Sequence, residues 1–138
     1  MASKKGDPMN RKQKMAVKAL QVLETSGWTQ GRRYDPPTRR RCVLGAIDAV
    51  GRTRGMTPRV KAGLVRDLSN ILKEEHGAPF SRYSDPMYTI ACWNDVRDRT
   101  SVEVKALLSN YAGILLELTL EEELETLAKA QRELLVKA

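Results

Sequence analysis

Thr57-Pro58-Arg59-Val60-Lys61-Ala62-Gly63-Leu64-Val65-Arg66-Asp67-Leu68-Ser69-Asn70-Ile71-Leu72-Lys73-Glu74-Glu75-His76-Gly77 contains a start, a buried stripe and a stop. Thr57 is a preferred N-cap residue. Pro58 suits the first helical position, where its missing N–H has no partner to lose. Val60, Leu64, Leu68, Ile71 and Leu72 recur every three or four residues and so share one helix face. His76 sits beside the last carbonyls, and Gly77 can leave the helix at little steric cost. This period sets the expectation for the whole chain, in which no run reads clearly as a strand.

Working upstream, Gly51 to Gly55 reads as a turn carrying Arg52 and Arg54. Before it, Thr38 is placed to cap a helix running to about Val50. Cys42, Val43, Ala46, Ile47 and Val50 share one arc of that helix, and Arg41, Gly45, Asp48 and Arg52 the other. Gly45 costs about 1 kcal/mol relative to Ala inside a helix, so it marks a close crossing or a ligand's approach to the backbone. Residues 27–38 read as a loop because Gly27, Gly31, Asp35, Pro36 and Pro37 all oppose regular structure. The first helix is expected to start at Asp7-Pro8, bury Met15, Ala19, Val22 and Leu23, and stop at Ser26-Gly27.

Working downstream, Ala78 to Tyr83 is a loop, and Ser84-Asp85-Pro86 starts a short helix ending near Trp93. Thr100 with Glu103 forms a capping box for a helix that buries Val104, Leu107, Leu108 and Tyr111. Thr119 with Glu122 forms a second box, so residues 101–136 divide into two helices or run on as one. Leu120, Leu124, Leu127, Gln131 and Leu134 make a two-heptad apolar seam. Its first reading is a helix packed on its own domain, and its sharper one a homodimer contact through the C-terminal helix. The expected fold is all-α: a single irregular bundle of five or six short helices along the chain, with a helical domain at residues 1–112. That domain carries a basic N-terminal arm and an arginine-rich loop at 27–40. Residues 113–138 form a C-terminal helical extension.

At 138 residues the chain is long enough to bury a core without a metal or disulfide staple. Its net charge of +7 is uneven: residues 1–56 carry +9, residues 57–99 carry +1, and residues 100–138 carry −3. A basic front points to an anionic partner and an acidic tail to a separate task. Met1 to Gly6 is polar and basic with no apolar h-region after it, and Tyr111 to Leu116 is too short to cross a bilayer. The two cysteines, Cys42 and Cys92, make no disulfide framework, so a cytoplasmic setting without membrane contact is expected.

Four short motifs occur in order: Gly27-Trp28-Thr29-Gln30-Gly31; Cys42-Val43-Leu44-Gly45-Ala46; Trp93-Asn94-Asp95; and Arg99-Thr100 with Glu103-Val104. This pattern, GWTQG, C-x-x-GA, WND and RT-x-x-EV over about residues 15–112, resembles a family of small uncharacterised proteins of actinobacteria and their phages. The resemblance implies a compact helical domain in such a setting and no mechanism. The tail from Gly113 and the arginine density at 32–41 lie outside it.

Arg32, Arg33, Arg39, Arg40 and Arg41, with Arg52 and Arg54 beyond, form the strongest functional signal. Arginine suits bidentate contact with phosphate, and Tyr34 among them can stack on a base. Lys4, Lys5, Arg11, Lys12, Lys14 and Lys18 extend the basic surface. Five phosphate contacts would weaken duplex binding roughly 500-fold between about 50 and 200 mM salt. The expected function is therefore non-enzymatic: a small accessory or regulatory protein binding nucleic acid or another polyanion. The competing class is a module docking on an acidic host protein, since Arg and Trp are favoured interface anchors. Gln30, Asn94 and Asp95 form either a polar site or a loop tie, with Asp95 able to pair with Arg99. Cys42 shares the apolar arc of its helix and reads first as a buried, inert thiol; the sharper reading takes its place near a helix N-terminus and beside arginines as lowering the thiol pKa, with His76 and Asn94 or Asp95 completing a hydrolase set. Rapid alkylation near neutral pH would mark that reading. Cys42, Cys92 and His76 lack zinc-ligand spacing, and no P-loop, GxGxxG or HExxH pattern occurs, so no cofactor or metal is expected.

Overall fold

The computed structural model describes residues 8–137, with the side chain of residue 137 excepted. Asp7, Lys4 and Lys5, named above, lie outside the described residues. Among the described residues there are six helices and one two-residue hairpin: α1 (Arg11–Ser26), β1 (Tyr34–Asp35), β2 (Arg40–Arg41), α2 (Val43–Gly51), α3 (Pro58–His76), α4 (Pro86–Asn94), α5 (Ser101–Ala112) and α6 (Leu120–Lys137). The chain is predominantly all-α, as its apolar spacing implies. Among the described residues, no helix is long and apolar enough to cross a membrane.

The caps explain most of the boundaries. Thr57 accepts from the Val60 N–H, and Gly77 ends α3. Asp85 caps α4 with Pro86 behind it. Thr100 and Glu103 make the expected reciprocal box, and Gly113 in the left-handed region ends α5. Thr119 and Glu122 bond each other's backbone N–H in the same way, so α5 and α6 are separate helices. At α1 the start differs from the Asp7-Pro8 expectation. Asn10 caps the helix and Gln13 reaches back to the Asn10 N–H, a complete capping box three residues later in the chain.

α1 is the central element and packs on α2, α3 and α5, while α4 packs on α3. Met15, Leu23, Ile47, Leu64, Leu68, Leu72, Ile90 and Leu108 are fully buried between them. Phe80 anchors the 78–83 loop in the same core. α6 packs extensively on none of them. Its seam does not pack on the domain: Leu120, Leu124, Leu127 and Leu134 are 57–71% exposed.

The second helix is where the sequence expectation fails. Thr38 caps nothing: its hydroxyl donates to Asp35 Oδ2 at 2.6 Å. The Arg39 N–H donates to the Asp35 carbonyl, and Arg39 adopts a φ of 65° at the tip of a hairpin in which Tyr34 faces Arg41 and Asp35 faces Arg40. Residues 34–41, read above as loop and helix start, therefore form β1, a turn at 36–39, and β2. The N-cap of α2 lies four residues beyond the expected Thr38, at Cys42, whose thiol accepts from the Gly45 N–H.

Candidate functional site

The hairpin and its supports make the candidate site. Segment 27–29 runs beside β2: the Thr29 N–H donates to the Arg41 carbonyl and the Arg41 N–H to the Gly27 carbonyl. Asn94, fully buried at the end of α4, ties this segment to α2. Its Oδ1 accepts from Trp28 Nε1 at 2.8 Å and from the Val43 N–H at 3.2 Å. Its Nδ2 donates to the Thr29 carbonyl and to Asp95 Oδ1. The full hydrogen-bonding capacity of this amide is spent inside the protein. Gln30 Nε2 donates to the carbonyls of Asn94 and Val96, and the Gly31 N–H donates to Asp95 Oδ1. Gln30, Asn94 and Asp95 are thus brought together, as the tie between the GWTQG and WND segments. Asp95 does not pair with Arg99. Arg99 lies 4.1 Å over the Trp93 ring, donates to the Trp93 carbonyl and pairs with Glu103.

The arginines divide into two groups. Arg32 pairs with Asp35 at 2.9 Å, and Arg33 with Asp48 at 2.8 Å. Arg41 stacks 4.4 Å from the Tyr34 centroid and donates to the Gly45 carbonyl. These three brace the hairpin from inside the chain. Tyr34 keeps only its other face for a ligand. Arg39 and Arg40 at the tip, and Arg52 and Arg54 after α2, are exposed and have no acidic partner among the described residues. A cleft of about 390 Å³ lined by Arg33, Asp48, Arg52 and Lys61 joins the hairpin base to the α2–α3 turn. Asp48 also pairs with Lys61. Burial pushes the Asp48 carboxyl up, but hydrogen bonds from Lys61 and Arg33 outweigh it and hold the group below the usual carboxylate range. The Asp35 carboxyl is lowered by hydrogen bonds from Thr38 and Arg32.

Asp48, Lys61 and Thr38 are organising residues that the sequence reading missed. Asp35 followed three residues later by Thr38 is a local turn signal that was available. The Arg33–Asp48–Lys61 bridge joins three elements and has no local signature.

The Cys42 environment fits the buried-thiol reading rather than the nucleophile one. Burial pushes the thiol up, and backbone hydrogen bonds from Gly45 and Leu44 only partly offset it. Cys42 borders an open cleft of about 340 Å³ with Arg33, Tyr88 and Asp95, whereas His76 lines a different cleft with Trp93 and Glu103. The three parts of the hydrolase set therefore do not share a cavity. Among the described residues, no group of three His, Cys, Asp or Glu is placed to hold a metal ion.

Fold and site together define a small helical domain whose stapled hairpin presents arginines. The chain belongs to the family of unknown function DUF6197, whose model matches residues 10–113. No curated protein and no solved structure matches it. The family match covers every element from α1 to α5 and ends at the glycine that terminates α5.

Proposed function

We propose that this protein is a non-enzymatic binding protein that grips a polyanion, nucleic acid foremost, through Arg39, Arg40, Arg52 and Arg54. One observation carries the reading. Arg39 and Arg40 are exposed and unpaired among the described residues, on a hairpin whose other arginines are spent in bracing it. Ordering a flexible arginine loop on a ligand costs affinity, and a braced loop avoids most of that cost. Each tip guanidinium offers a fork that fits two phosphate oxygens. Arg32, Arg33 and Arg41 act as positioning residues in this account. The setting we assign is the cytoplasm of an actinobacterium or of a host infected by its phage.

The test is binding to duplex DNA and to single-stranded RNA across a salt series, with nuclease-treated protein. Four phosphate contacts predict a loss of roughly 150-fold in duplex affinity between about 50 and 200 mM salt. Arg39→Ala with Arg40→Ala should flatten the log–log salt slope by about two while helicity is retained. Binding that vanishes above low salt, or a slope unmoved by the double variant, would sink the proposal. An acidic protein surface would then be the next partner to test.

A further inference from the structure

We infer that the outer face of α6 pairs with the same face of a second copy of this chain, the two helices running antiparallel. The inference is independent of the arginine surface. α6 meets its own domain through polar groups: Glu122 pairs with Lys105 at 2.8 Å, and Lys129 reaches Glu103 at 2.8 Å and the Asp98 carbonyl at 2.7 Å. Glu122 and Lys129 are seven residues apart, on one row of the helix. Leu120, Leu124, Leu127 and Leu134 follow the opposite row, and they stay 71%, 57%, 60% and 68% exposed. The polar row thus docks the helix and leaves the apolar row facing away from the domain. Leu135, beside that row, is 76% exposed. Soluble chains rarely leave such a stripe uncovered.

Charge selects the occupant and its direction. The first half of α6 holds Glu121, Glu122, Glu123 and Glu125 and no base. The second half holds Lys129, Arg132 and Lys137 against Glu133 alone. A parallel pair would lay glutamates beside glutamates. An antiparallel pair lays each glutamate-rich half beside the half bearing Arg132 of the other copy. In that register Leu124 packs on Leu134 of the second copy and Leu127 on its Gln131. Ala128 then meets Ala128 of the second copy on the flank, small enough for close approach. Most of a helix's stability in a protein comes from packing of its apolar face. The Thr119–Glu122 box and the two ion pairs preform α6, which reduces the ordering cost of pairing.

Sedimentation equilibrium on the full chain tests this. The mass should rise from 15.5 kDa toward twice that value as concentration climbs through the micromolar range. Leu124→Glu with Leu127→Glu should hold it at one chain with unchanged far-UV circular dichroism. In a Cys92→Ser background, Ala128→Cys should form an intermolecular disulfide under mild oxidation, whereas Leu124→Cys should not. A wild-type chain that stays monomeric up to high micromolar concentration, or a dimer that survives the double variant, overturns the assignment to a second copy. Crosslinking through Leu124→Cys in place of Ala128→Cys overturns the antiparallel direction.

Discussion

Gly45 sits inside α2, where alanine would ordinarily gain about 1 kcal/mol of helix propensity. A Cβ at this position would overlap the backbone carbonyl of Arg33, which belongs to the hairpin and cannot move without it. The close approach anticipated from the sequence is therefore real, and what approaches is this chain's own loop. Gly45→Ala should destabilise the protein by about 2 kcal/mol, the reverse of its helix propensity, as read by urea unfolding. Asn94 carries a comparable weight through hydrogen bonds. Asn94→Leu would leave the Trp28 indole N–H, the Val43 N–H and the Thr29 carbonyl without their partner. A loss of about 3 kcal/mol in the same unfolding measurement is expected. The partner of neither residue was legible in the sequence. A glycine in a helix signals that something comes near, but not what. An asparagine beside a tryptophan has no pattern that names a partner 51 residues away.

At the scale of elements, the starts of α3, α4 and α5 were readable and the hairpin was not. α3, α4 and α5 begin on capping side chains, and α3 and α5 end at glycines, all at the boundary itself, so local chemistry suffices. Thr38-Arg39-Arg40-Arg41-Cys42 carries an equally good local helix start, yet it pairs as β2. Asp35 takes the Thr38 hydroxyl, Arg33 is held by Asp48, and Asn94 and Cys42 supply the cap that α2 needs. The Arg33–Asp48–Lys61 bridge also makes the hairpin acid-sensitive. The native Asp48 carboxyl lies below its ordinary value, so between the two values the unfolded chain binds more protons. Its contribution is present above the unfolded value and is lost as pH falls through the native one. Asp48→Asn should lower Tm near neutral pH. It should also make the further drop below about pH 4 shallower than in the wild type, in a thermal melt series.

For the whole molecule, the +9 of residues 1–56 and the −3 of residues 113–138 correspond to separate parts. The family domain contains the core, the hairpin and its arginines, and the acidic segment contains α6. Every fully buried large side chain lies at or before Leu108, while Ile114 and Leu116 only pack on the core's edge. A chain ending at Leu118 should therefore unfold cooperatively with a Tm within a few degrees of the full chain, and it should sediment as a monomer. Loss of cooperative unfolding would mean that α6 is a structural part of the domain. A paired α6 would also place two arginine hairpins on one particle. The second contact with a long polyanion then becomes intramolecular and avidity rises without any new contact.

What the sequence by itself determined is the helical class, the N-caps of α3, α4 and α5, and the apolar faces of α1, α3 and α5. Each follows from interactions spanning at most a few turns, and these leave a period or a cap signature in the chain. What only the tertiary structure decided is the hairpin at 34–41, the use of Asn94 as a cap for α2, the division of the arginines into braces and free groups, and the outward aim of the α6 seam. Those features depend on partners far apart in the chain, such as Trp28 with Asn94 and Arg33 with Asp48. A pairing between distant positions has no period along the sequence, so it emerges only when packing brings the groups together.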